Sequence, residues 1–110
     1  MQSEQKGHTT VLTDTNSNTA AFLEAVTAAY STYKDQNLVL DLTANGELAL
    51  EQLLPYLPLS NKHRKAKKSF VLVVPGFDYD EAPDEMVIVP TLQEAHDLIE
   101  MEEIERDLGF

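Results

Sequence analysis

Apolar residues recur along this 110-residue chain in two alternating rhythms. Three short blocks, Asn37-Leu-Val-Leu-Asp-Leu42, Phe70-Val-Leu-Val-Val74 and Met86-Val-Ile-Val89, are rich in valine, isoleucine and leucine and are bounded by polar or Pro-Gly turns. Such runs predict buried strands of a largely parallel sheet, and 70–74 is uniform enough to be an interior strand. Thr9–Thr13 alternates more weakly around Val11 and predicts a short strand at a sheet edge. Between the blocks the spacing changes to three and four. Phe22, Val26, Ala29 and Tyr33 trace one face of a helix starting at Thr19, and Leu50, Leu53, Leu54 and Leu57 trace another. Asn45 is a candidate cap for that second helix, with Glu47 in its first turn, and Pro55 should kink or stop it. Helix resumes after Pro58 and carries a basic run to about Lys67.

Thr91 and Glu94 form a capping-box pattern that opens the last helix, where Leu92, Ala95, Leu98 and Ile99 share one side. Met101, Ile104 and Leu108 form a second apolar series about half a turn away, followed by Phe110. Either the helix bends near Glu100 and this tail covers its own sheet, or the stripe meets another surface, in a homodimer or with a protein partner. Met101, Ile104, Leu108 and Phe110 are therefore candidate partner-binding residues. The strand–helix alternation predicts a small α/β domain with a mostly parallel or mixed sheet of about four strands and packed helices.

Charge sharpens this picture. Residues 1–75 hold seven acids and seven bases, whereas residues 76–110 hold twelve acids and only Arg106, which accounts for the whole net charge of −11. Nucleic acid is not expected as a partner of so acidic a chain. The basic run Lys62, His63, Arg64, Lys65, Lys67, Lys68 is the local exception, and Lys62, Arg64 and Lys65 are candidate contacts for an acidic partner. No aromatic side chain interleaves it, so it lacks the stacking half of a single-strand binding surface. No apolar run reaches the roughly 18 residues of a membrane span, so membrane insertion is not expected. With no cysteine and no basic-then-apolar leader in MQSEQKGH, the expected location is the cytoplasm.

Catalytic signatures are sparse. The four glycines are scattered and form no phosphate loop, and no serine sits in a nucleophile elbow. Asp78, Asp80, Glu81, Asp84 and Glu85 lack the spacing of a calcium loop. No catalytic residue, metal site or cofactor is expected.

At Leu38–Leu42, Leu50–Leu57, Phe70–Val74 and Val87–Ile99 the chain resembles the STAS family, small α/β domains that include bacterial anti-anti-sigma factors and cytoplasmic domains of anion transporters. The matching segments are Val39-Leu-Asp-Leu-Thr43, the leucine face of 50–57, the basic run, the strand 70–74 and Val89-Pro-Thr-Leu-Gln-Glu-Ala95. The resemblance implies a single STAS-like domain over residues 9–110 after a disordered tail at 1–8, and a protein-binding or regulatory role. Anti-anti-sigma members carry a phosphorylated serine in an Asp-Ser-Ser-Gly-Leu segment after the Asp-Leu strand. Here that region reads Glu47-Leu-Ala-Leu-Glu-Gln-Leu53 and has no serine, and Thr43 lies too early to replace it. No phospho-acceptor is expected. The acidic tail Glu100–Phe110 is also similar to small bacterial proteins labelled ribonuclease Z. That nuclease family gathers two zinc ions with a His-x-His-x-Asp-His motif, and His8, His63 and His96 form no such cluster. Three roles thus stand: a non-catalytic binding or regulatory module, a structural subunit with a constant partner, and a small hydrolase.

Overall fold

The computed structural model describes residues 1–109, the side chain of Tyr79 apart. Five strands form one mixed sheet in the order β1-β2-β3-β4-β5. They are β1 (Gln2–Lys6), β2 (Thr9–Thr13), β3 (Asn37–Asp41), β4 (Phe70–Val73) and β5 (Ile88–Val89). β1 runs antiparallel to β2, and the other three pairings are parallel. The helices are α1 (Thr19–Tyr33), α2 (Leu50–Leu53), α3 (Leu57–Lys65) and α4 (Leu92–Asp107).

The alternation of side chains along each strand divides the core in two. Leu12, Leu38, Leu40, Phe70, Leu72 and Ile88 turn to one face, where they pack with Phe22, Val26 and Tyr30 of α1 and with Leu53, Tyr56 and Leu59. Val11, Val39, Val71, Val73 and Val89 turn to the other, beneath Ala95 and Ile99 of α4. Leucines and aromatic rings fill the space under α1 and α2–α3, which lie side by side, whereas valines and one alanine face the single helix α4. Strands that follow one another in sequence order need crossovers of one hand, which puts α1 and α2–α3 on the same face. The opposite face is left for α4.

Five local expectations are corrected. Residues 1–8, expected as a disordered tail, supply β1 instead. Gly7, with φ 58°, takes the first of two connecting residues, where hairpin turns favour glycine. A fully polar strand gives no hydrophobic signal, because its pairing comes from backbone hydrogen bonds rather than burial. That pairing makes β2 an interior strand rather than an edge. The second helix begins at Leu50, not after Gly46, because Asn45 is taken up elsewhere: its side-chain amide donates to Asp14 and to the Leu42 carbonyl. Gln52 accepts from the Ala49 amide at 2.9 Å and closes the first turn there. Residues 86–87 precede β5 rather than belonging to it, and Leu92, expected on the buried side of α4, is exposed at the first position of that helix.

Pro55 and Pro58 do not end the helical path. Pro55 falls in a 3₁₀ turn, Leu54–Tyr56, between α2 and α3, and Pro58 falls in the first turn of α3, where a missing amide hydrogen costs nothing.

Candidate functional site

α4 is held along its inward seam by two kinds of contact. Thr91 Oγ1 accepts from the Glu94 amide at 3.1 Å and starts the helix. Ala95 and Ile99 then pack on the valine face. At 100° per residue the same seam continues through Glu102 and Arg106. Those two project past the apolar sheet onto the polar ends of β3 and β4. Glu102 accepts from Ser69 Oγ at 2.5 Å and pairs with Arg64 at 3.4 Å. Arg106 donates to Ser69 Oγ at 3.2 Å and to Asn37 Oδ1 at 3.3 Å, and Asn37 Oδ1 also accepts from the Ser69 amide at 2.9 Å. Arg64 reaches the Phe70 carbonyl at 3.1 Å as well.

This polar seam explains the second apolar series. α4 is continuous to Asp107, and because Glu102 and Arg106 hold it inward, Met101, Ile104 and Leu108 face away from the sheet. Their exposures are 58%, 54% and 67%. The stripe is not covered by its own chain among the described residues, and Phe110 lies outside them. Glu94, Asp97, Glu100, Glu105 and Asp107 flank the stripe, all exposed.

The basic run does not act as one surface. Lys62 and Lys65 are exposed, with Lys62 Nζ 4.8 Å from the Tyr30 ring centre. Arg64 is engaged with Glu102 of its own chain. His63 is fully buried. Its Nε2 lies 2.7 Å from the Gln36 carbonyl, which only accepts, so the proton sits on Nε2 and Nδ1 accepts from the Tyr30 hydroxyl at 2.6 Å. Burial holds the His63 pKa below the usual imidazole value. The bond to Gln36 opposes that shift, and the charges of Lys68 and Arg64 add to it. Burial, helped by Asp35, raises the Tyr30 phenol. The structure therefore joins Arg64 to the terminal helix within one chain, while Lys62 and Lys65 and the outward stripe lie on opposite sides of the sheet.

Between α1 and α2–α3 runs a groove of two adjoining hollows that share Leu23 and Pro55. One, about 250 Å³, is closed by Thr27, Pro58, Leu59 and Lys62. The other, about 380 Å³, extends past Tyr56 to Glu24 and Gln52. Elsewhere, Arg64 and Lys65 face Asp84 and Glu85 across a hollow of about 360 Å³, where the two signs of charge already answer each other.

The C-terminal ends of the strands are organised by Asp14, which is buried. Its carboxylate accepts from the amides of Asn16 and Asn18 and from the Asn45 side chain at 2.9–3.1 Å. Asp14 and the inward pair Glu102–Arg106 were not singled out from the sequence. Extending the Ala95–Ile99 seam by three and seven residues would have found the pair. Thr43 is exposed in a 3₁₀ turn, Thr43–Asn45, with its hydroxyl donated to Asp41, and α2 starts seven residues later. Among the described residues no three His, Asp or Glu side chains are grouped to hold a metal ion, and no helix is long and apolar enough to cross a membrane. No protein-family model matches the chain, and no curated protein matches it in sequence.

Proposed function

We propose that the chain is a non-catalytic, STAS-like protein-binding module that docks its partner on the outer face of α4. The observation that carries this reading is the stripe Met101, Ile104, Leu108, exposed on a helix whose opposite side is anchored by Ala95, Ile99, Glu102 and Arg106. Rigid presentation lowers the ordering cost of binding, and three apolar side chains at about 25 cal/mol per Å² contribute several kcal/mol when covered. The flanking carboxylates select a partner whose contact surface is apolar at its centre and basic at its rim. The STAS resemblance supports a protein-binding role, and the absence of a serine from Glu47–Leu53 separates that role from a phospho-switch at the acceptor position.

Affinity capture from native lysate with the intact chain and with Ile104→Asp tests the reading. The substituted side chain is on the solvent face, so circular dichroism should be unchanged while specific partners are lost. Equal recovery of every partner by the two chains would sink the α4 docking surface.

A further inference from the structure

Resting on that docking surface, we propose that one occupant of the α4 stripe is a second copy of this chain, and that it presents the groove between α1 and α3. The contact is head-to-tail: the outward ridge of one copy enters the hollow lined by Leu23, Thr27, Pro55, Pro58, Leu59 and Lys62 of the next.

Shape and charge both point there. Met101, Ile104 and Leu108 are spaced three and four apart and form a ridge about 10 Å long on a single helix. An apolar helix face with anchors at i, i+3 and i+7 is suited to a hydrophobic groove such as a furrow between two helices. The hollow beside Lys62 is such a furrow, with an apolar floor and two proline rings in its wall. The ridge is edged by Glu100, Glu105 and Asp107, and the furrow's mouth carries Lys62. The far hollow ends at Glu24, so the lysine end is the one that accepts an acid-edged ridge. Symmetric packing of one stripe on another is disfavoured, since it sets the carboxylates of both helices against each other. Ridge and furrow lie on opposite sides of the sheet, so a chain cannot satisfy its own furrow. Each bound copy still offers a free ridge at one end and a free furrow at the other.

The three-residue ridge is smaller than the roughly 800 Å² that each partner buries in a standard interface, so the association is weak and depends on concentration. The test is sedimentation velocity of the full chain up to about 1 mM, with two variants on exposed positions, Ile104→Asp on the ridge and Thr27→Glu in the furrow. The wild-type mass should rise with concentration without settling at a dimer. Each variant alone should remain a monomer, with unchanged circular dichroism as the check on folding. Mixed, they should form a dimer and nothing larger, because the Thr27→Glu chain keeps an intact ridge and the Ile104→Asp chain an intact furrow. A mixture that stays monomeric overturns the proposal, as does a closed wild-type dimer that Thr27→Glu leaves intact. A wild-type chain that is monomeric at every concentration also overturns it. That last result leaves the capture experiment standing, so failure of the second copy is distinguishable from failure of the α4 surface itself.

Discussion

His63 shows how one side chain in a basic run belongs to the core rather than to the surface. Its neighbours Lys62, Arg64 and Lys65 stay at least partly exposed, yet the imidazole is enclosed by Tyr30, Gln36 and Phe70, the last with ring centres 6.0 Å apart. Both ring nitrogens are used in the neutral form, and protonation would turn Nδ1 into a donor facing the Tyr30 hydroxyl. Because burial lowers the folded-state pKa, the unfolded chain binds more protons as pH falls through about 6.5. The stabilising contribution is thus fully present above that pH and is lost progressively as pH drops toward the depressed folded value. Urea midpoints should fall between pH 7.5 and pH 5.5. His63→Phe, which keeps a ring of similar size, should flatten that dependence. It should also lower stability by about 1–3 kcal/mol, since the Gln36 carbonyl and the Tyr30 hydroxyl lose their partner. An unchanged pH profile in the variant would assign the dependence elsewhere. Nothing in the sequence distinguished His63 from its neighbours, because helical spacing sets which face a residue takes and only the packing of α1 decides which face is buried.

At the scale of the element, α4 departs most from a simple amphipathic helix. Apolar periodicity made Ala95 and Ile99 legible as the inward side, and the second stripe was legible as well. What the stripe does was not, since a bend and an outward ridge predict the same sequence. The deciding contacts are polar and long-range: Glu102 and Arg106 meet Ser69 and Asn37, residues 33 to 69 positions away. Arg106→Ala should therefore destabilise the protein by about 1–3 kcal/mol, as expected when hydrogen bonds to a charged group are lost, and hydrogen exchange should rise in the second half of α4. Ile104→Ala, on the open side, should change stability by no more than about 0.5 kcal/mol. Reversal of that order in thermal unfolding would mean that the stripe, not the polar seam, holds the helix.

Across the whole molecule, four of the five strands, β2 to β5, share two cores, and β4 contributes to both, through Phe70 and Leu72 on one face and Val71 and Val73 on the other. Leu72→Asp places an unpaired carboxylate in the centre of the sheet and should leave no cooperative unfolding transition by circular dichroism. A folded variant would show that the sheet centre is hydrated. The order of elements from β2 to α4, and the interior place of 70–74, were readable from the sequence because period-two and period-3.6 patterns report local burial. β1 was not, since an edge strand of polar residues is stabilised by its neighbour's backbone and leaves no pattern of its own. The start of α2 was not, since Asn45 serves Asp14 across the chain instead of capping the nearest helix. Composition and periodicity are local properties, and from them follow the α/β class, the concentration of negative charge after residue 75 and the existence of a second stripe on the last helix. Long-range packing turns the stripe outward, commits Arg64 to Glu102 of its own chain and sets Lys62 and Lys65 across the sheet from the ridge. Those outcomes depend on which distant residues meet, and short-range patterns carry no information about that.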